Sequence, residues 1–292
     1  MISVFGGTGF IGSRFLELFP QESVAIPRES RTPKSTELLY LISTTDNYNV
    51  FDNPQIDIDT NLKILVDTLR NCRDRKVRFN FVSSWFVYGE CDLPAHEESY
   101  CRPKGFYSIT KKAAEDLLIS YCETFGIEYR IFRLGNVIGK GDEYSKKKNA
   151  LQYIAARISN HEPIDLYHNG EFIRDYIHVY DLAQAHILAL KFLLKKDSCG
   201  FYNLGTGKGH SVLEVIKMCE KVTNLKVKTT ISSKREGDPP VLISSSTKII
   251  IALLTFCCLI LIFSAKLVAL SIRLLMHLII RFFLPLKMIS FS

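Results

Sequence analysis

Seven residues near the start of the chain restrict its fold more than any other stretch. Ile2 to Phe5 form a short apolar run. Gly6-Gly7-Thr8-Gly9-Phe10-Ile11-Gly12 follows at once and leads into the helical Ser13-Arg14-Phe15-Leu16-Glu17-Leu18. This is G-x-x-G-x-x-G set between a strand and a helix. Glycines let the turn close tightly and let main-chain N–H groups approach a pyrophosphate at the helix N-terminus. Gly6, Gly9, Phe10, Ile11 and Gly12 are therefore candidate dinucleotide-binding residues. Strand-like runs then alternate with helical ones: Ser23 to Ile26, Leu38 to Ile42, the amphipathic Leu62 to Leu69, and Val77 to Val82. Such interleaving predicts an α/β fold with a Rossmann-type doubly wound parallel sheet, whose ligands sit beyond the carboxyl ends of the strands.

Val77 to Val82 ends at Ser83-Ser84, which places a hydroxyl where such folds do chemistry. Further on, Tyr107 and Lys111 lie four residues apart in a segment that reads helical, preceded by Pro103 and Gly105. That spacing puts phenol and ammonium on one helix face. A fixed cation near a phenol favours the phenolate and is expected to lower its pKa from about 10, which suits a group that takes a proton from an alcohol. A serine at a strand end is more often a turn former, and Tyr-x-x-x-Lys arises by chance on solvated helices. The three residues carry weight together and in this order. The second strand ends in Pro27-Arg28-Glu29-Ser30-Arg31, where an acid would bind a free ribose 2′-hydroxyl. Arg28 either pairs with a 2′-phosphate, favouring NADP, or is a solvated loop residue.

Charge bears on partners. Of the formal +7, four basic residues (Lys266, Arg273, Arg281 and Lys287) fall in 249–292, which holds no acid. Residues 1–248 keep 33 basic against 30 acidic side chains, an ordinary surface that gives no reason to expect nucleic-acid binding. The eight cysteines form no C-x-x-C pair and no metal spacing, so a reduced, cytoplasmic compartment and no metal are expected. The run beginning at Met1 has no cationic lead-in, and no signal peptide is expected.

Gly6-x-x-Gly9-x-x-Gly12, Ser84 and Tyr107-x-x-x-Lys111 resemble the extended short-chain dehydrogenase/reductase superfamily. Later stretches sharpen this to its NAD-dependent epimerase/dehydratase family, with UDP-glucose 4-epimerase-like proteins the nearest pattern. They are Arg133-Leu134-Gly135-Asn136-Val137-Ile138-Gly139, Lys148-Asn149-Ala150-Leu151, the run from Gly170 through Arg174-Asp175-Tyr176-Ile177-His178 to Ala183, Tyr202-Asn203-Leu204-Gly205-Thr206-Gly207, and Arg235-Glu236-Gly237-Asp238-Pro239. The resemblance covers residues 1–248. It implies Ser84, Tyr107 and Lys111 as catalytic residues. Asn61, Arg28, Tyr107 and Lys111 would join the glycine turn on the cofactor. Ser84, Asn136, Asn149, Tyr167, Arg174, Arg235 and Asp238 would hold a nucleotide sugar. Arg174 and Arg235 suit its diphosphate through paired charge-assisted hydrogen bonds, Asp238 suits a ribose hydroxyl, and Tyr167 suits the base. Arg174 alternatively pairs with Asp175 or Asp181, and His178 reads as a packed residue.

The implied organisation is a dinucleotide-binding domain of residues 1–138 and 175–204, with a smaller C-terminal substrate lobe of 139–174 and 205–248. Two departures narrow the chemistry. Dehydratases and decarboxylases of the superfamily carry an acid after the active-site hydroxyl, whereas this chain has Trp85 and Phe86, neither able to move a proton. Ser43-Thr44-Thr45-Asp46 is also unlike the epimerase pattern. The expectation is a nucleotide-sugar epimerase using NAD or NADP. The alternatives are an NADPH-dependent reductase of a 4-keto nucleotide sugar and a non-catalytic dinucleotide-binding protein. A homodimer through the helix bearing Tyr107 is implied by the family. From Ile249 the pattern is lost to an apolar run. Residues 249–265 sit at the short limit of a membrane span. A shifted reading frame, a membrane anchor and a buried helix all remain open for 249–292.

Overall fold

The structure is a computed structural model that describes residues 1–45, 49–142, 150–193, 200–232 and 240–253. Six parallel strands form its main sheet: β1 (Ile2–Phe5), β2 (Ser23–Ala25), β3 (Glu37–Tyr40), β4 (Arg78–Ser84), β5 (Glu128–Leu134) and β9 (Gly200–Leu204). They lie in the order β2-β1-β3-β4-β5-β9. The order reverses direction at β1, so a crevice opens between the ends of β1 and β3, where ligands of such sheets bind.

Side chains alternate across this sheet with the strand period of two. Val4, Leu39, Val82 and Phe132 point to one face, under α1 (Phe10–Leu18) and α7 (Val179–Phe192), with Phe15 and Leu182. Phe5, Leu38, Tyr40, Phe81 and Ile131 point to the other. There they meet α4 (Ile64–Arg70) and the long α5 (Phe106–Phe125) through Leu65, Leu69 and Leu118. Two buried faces make the sheet doubly wound, as expected. Helix α4 departs from expectation at its start. The short α2 (Asn49–Asp52) and α3 (Gln55–Asp57) precede it, and Ile58–Lys63 forms a π-helical turn running into Ile64.

A smaller assembly flanks the carboxyl ends of the strands. In it β8 (Ile173–His178) pairs with β6 (Asn136–Ile138), β10 (Gly209–Ser211) and β12 (Val241–Leu242). Beside it β7 (Ile164–Leu166) pairs with β11 (Thr229–Ile231). Helices α6 (Ala150–Ser159) and α8 (Val212–Thr223) close a separate apolar cluster around Ile154, Ile158, Ile164, Val215 and Ile216. A reciprocal capping box between Ser211 and Glu214 sets the start of α8.

Residues 247–253 are helical. Ile249 and Leu253 are buried in the cluster around Phe132 and Leu182, so the first turns of the apolar run belong to the core. Among the described residues no helix is long and apolar enough to cross a membrane. Residues 254–292, where the anchor and shifted-frame readings would be decided, lie outside the described residues.

Candidate active site

A cleft of about 730 Å³ runs from the glycine turn to the smaller assembly. At its floor, Gly6 adopts φ +81°, and a Cβ on Gly12 would stand 2.3 Å from the Gly6 carbonyl oxygen. No side chain fits there, so the start of α1 packs directly on the turn and leaves the main chain facing the cleft.

Ser84 enters from the end of β4 and caps the 3-10 turn Trp85–Val87, its Oγ accepting from the Phe86 N–H at 3.3 Å. Tyr107 enters from the first turn of α5 and Lys111 from the second. All three line the cleft with Gly6, Gly9 and Gly12. Ser43 also lines the cleft, and the Phe86 ring meets the Tyr107 ring edge-on with centroids 6.4 Å apart.

The electrostatics differ from expectation. Burial pushes the Tyr107 phenol up, the two serine hydroxyls draw it part of the way back, and Asp57 opposes its ionisation. The Lys111 ammonium turns to the backbone of β4, donating to the Val82 carbonyl at 2.8 Å and sitting 4.3 Å over the Phe81 ring. Burial lowers its pKa to about 7, against a partial upward pull from Glu115. Desolvation, and not the cation that helix spacing alone suggested, governs the phenol.

Residues 35–205 match the model of the NAD dependent epimerase/dehydratase family. The chain belongs to this family. Among relatives it is similar to the UDP-glucose 4-epimerase of Halalkalibacterium halodurans, 35% identical over 182 residues, 58% of this chain and 54% of that one. Among solved structures it resembles the Thermus thermophilus UDP-glucose 4-epimerase complex with NAD. That match has a TM-score of 0.75 at 26% identity and covers 86% of this chain and 92% of that one. The Stenotrophomonas maltophila UDP-glucose 4-epimerase with bound NAD and formylated UDP-arabinopyranose gives 0.77 at 26%, covering 86% and 91%. The chain spans little more than half the length of the curated relatives it matches first.

The far end of the cleft lies against the smaller assembly. Asn136, Tyr167 and Arg174 line it, with Tyr153, Arg157, Asp165 and Phe172, which sequence reasoning did not single out. Arg174 donates to the carbonyls of Ile173 (2.8 Å) and Pro240 (3.2 Å) and lies 5.1 Å over the Phe172 ring. Asp175 accepts from the Thr206 and Gly207 N–H groups, both at 2.8 Å, and from the Thr206 hydroxyl, so this carboxylate shapes the loop after β9. His178 caps α7, accepting from the Tyr180 N–H. Phe10 and Ile11 line the cleft at the glycine turn.

Two expected cofactor residues do not line it. Arg28 is exposed on the loop after β2, its carbonyl bonded by Arg31. Asn61 is buried behind the wall at 2% exposure, and neighbouring polar groups satisfy its amide. Asn149, Arg235 and Asp238 lie outside the described residues. Ser43 was missed as a site residue. Its signal was the departure at Ser43-Thr44-Thr45, which reads as a defect in the pattern until the fold sets these residues along the cleft.

Proposed function

We propose that the chain is a nucleotide-sugar epimerase that oxidises and re-reduces one sugar carbon within a single binding event. The Gly12 contact and the open main chain of Gly6 fit a dinucleotide pyrophosphate, so the glycine turn would hold NAD or NADP. A nicotinamide dinucleotide seated there supplies a reversible hydride acceptor. Tyr107 Oη takes the proton of the sugar hydroxyl and later returns it. Ser84 accepts from the Phe86 N–H and keeps its own proton to donate to the sugar oxygen. Lys111 donates one N–H to Val82 and lines the cleft, where a remaining N–H would serve the cofactor. Arg174 and Asn136 would hold the diphosphate, with Tyr167 against the base.

The observation that carries this reading is that Tyr107, Ser84, Lys111 and the glycine turn line one cleft, with Trp85 and Phe86 after Ser84 where an acid would be needed for elimination. Relatives named UDP-glucose 4-epimerase support it. The reductase alternative drew on the missing acid after β2 and on Arg28, which is exposed on the loop there. Incubation of the purified full chain with a UDP-hexose should yield the C4 epimer at constant cofactor absorbance. Tyr107→Phe should lower kcat by about 10² to 10⁴. Unchanged turnover in that variant, or stoichiometric consumption of reduced cofactor by a keto sugar, would defeat the proposal.

A further inference from the structure

We propose that Phe86 sets which sugars the cleft accepts. Its ring walls the reaction centre and favours a nucleotide sugar whose carbon beside the reacting one bears a methyl group or only hydrogen, over one bearing a hydroxymethyl or a carboxylate. This rests on Tyr107 and Ser84 holding the oxygen of the reacting carbon, as in the epimerase reading.

Two contacts place Phe86 between those groups. Its N–H donates to Ser84 Oγ at 3.3 Å. Its ring meets the Tyr107 ring edge-on, with centroids 6.4 Å apart and planes at 82°. All three residues line the cleft, and Phe86 is half-buried there. A sugar oxygen shared by Ser84 and Tyr107 therefore has the Phe86 side chain as a near neighbour.

The ring is also held from behind. Trp85, 2% exposed, packs on it edge-on with centroids 6.5 Å apart and planes at 86°. Phe86 in turn rests against the buried cluster of Trp85, Tyr88, Ala95 and Leu242. The Ser84 cap ties the 3-10 turn Trp85–Val87 to the serine itself. A wall fixed in this way selects by chemistry rather than by yielding.

The reacting carbon of a pyranose has two ring neighbours. One bears a hydroxyl in most sugars, whereas the branch on the other separates sugar classes: hydrogen in a pentose, methyl in a 6-deoxyhexose, hydroxymethyl in a hexose, carboxylate in a uronic acid. A phenyl ring has no donor or acceptor to offer that branch. A methyl group set against it buries apolar surface. A hydroxymethyl set there surrenders a hydrogen bond to water, and a carboxylate surrenders more. One such group in an apolar pocket is worth about 10- to 100-fold in kcat/KM.

The test ranks kcat/KM of the purified full chain for UDP-6-deoxyglucose, UDP-xylose, UDP-glucose and UDP-glucuronate. The methyl sugar should lead UDP-glucose by about tenfold and UDP-glucuronate by about a hundredfold, with UDP-xylose above UDP-glucose. Phe86→Ser and the bulk-conserving Phe86→Tyr each put a hydroxyl on the wall and should bring the methyl and hydroxymethyl sugars within about threefold. Phe86→Leu keeps the wall apolar and should preserve the order. A wild type that prefers UDP-glucose or UDP-glucuronate would overturn the assignment. So would a loss in the hydroxyl variants that is equal for all four sugars, since the ring would then merely pack against Tyr107. Calorimetric affinities of the same proteins read the wall without turnover and should follow the same order. That order, abolished by Phe86→Ser or Phe86→Tyr in a chain that epimerises none of the four, would sustain Phe86 and reject the epimerase reading.

Discussion

Lys111 is a four-carbon amine with 2% of its surface exposed, and its burial has a consequence for stability that can be given a pH window. Its pKa falls from 10.5 to about 7 on folding. Below about pH 7 both the folded and unfolded chains carry the charge, and folding bears the full desolvation cost. Between about 7 and 10.5 only the unfolded chain binds the proton, so stability rises with pH, and above 10.5 the gain is complete. Lys111→Met should therefore be more stable than the wild type at pH 7, and the margin should shrink as pH rises toward 10. Denaturant midpoints of the two proteins at matched pH values measure this. A margin independent of pH would mean that the amine is not desolvated as described. The positions of Tyr107, Lys111 and Ser84 were legible because strand ends and helix spacing fix where Cβ atoms lie. The partner of the Lys111 amine was not, because the nearest acceptor along its flexible stem is a carbonyl on another strand.

Helix α5 carries Tyr107 and Lys111, and its register against the sheet is set by a buried ion pair. Arg133 of β5 donates from Nε (3.0 Å) and Nη2 (2.8 Å) to the two oxygens of Glu115, which is fully buried one turn beyond Lys111. Arg133 also lies 4.1 Å over the Phe201 ring and 4.7 Å over the Tyr88 ring. Two aligned bonds fix rotation as well as distance, so this pair aims the catalytic face of α5. Removing one partner strands a buried charge, which costs about 3–5 kcal/mol. Glu115→Ala should lower unfolding free energy by about that amount in chemical denaturation, while the exposed Lys112–Asp116 pair on the same helix should contribute less than about 1 kcal/mol when Asp116 is replaced. Equal losses at the two sites would refute the anchoring role. Short apolar runs marked β1 to β4 in the sequence, and the segment after Pro103 and Gly105 read as the helix α5. The π-helical turn at Ile58–Lys63 was hidden because local periodicity gives no sign of its cause. Buried Asn61 sits within it, satisfied by Thr44 and Thr110 from elements distant in the chain.

Across the whole molecule, the segment after β12 ties the two assemblies together before the apolar run begins. The Ser245 N–H donates to the Ala95 carbonyl at 2.8 Å, and Asn203, fully buried, donates to the carbonyls of Ala95 and Ser245, both at 3.1 Å. Ser246 Oγ accepts from the Gly205 N–H and donates to the Gly205 carbonyl, at 3.0 and 2.9 Å. These bonds aim residues 247–253 at the face of the sheet covered by α1 and α7, where Ile249 and Leu253 enter the core. A membrane segment and a core helix make opposite demands on Ile249. If this turn is core, Ile249→Ala opens a cavity and should cost about 2–5 kcal/mol. Ile249→Asp should do more, since it buries an unpaired carboxylate beneath Leu182 and Phe132. Ile251, more than half exposed and two residues along on the opposite face, should tolerate Ile251→Asp with a change within about 0.5 kcal/mol. Thermal unfolding of the three variants decides between the two. A strong loss at 249 with little at 251 is the signature of a helix with one buried face, and equal tolerance at both positions would remove residues 249–253 from the core.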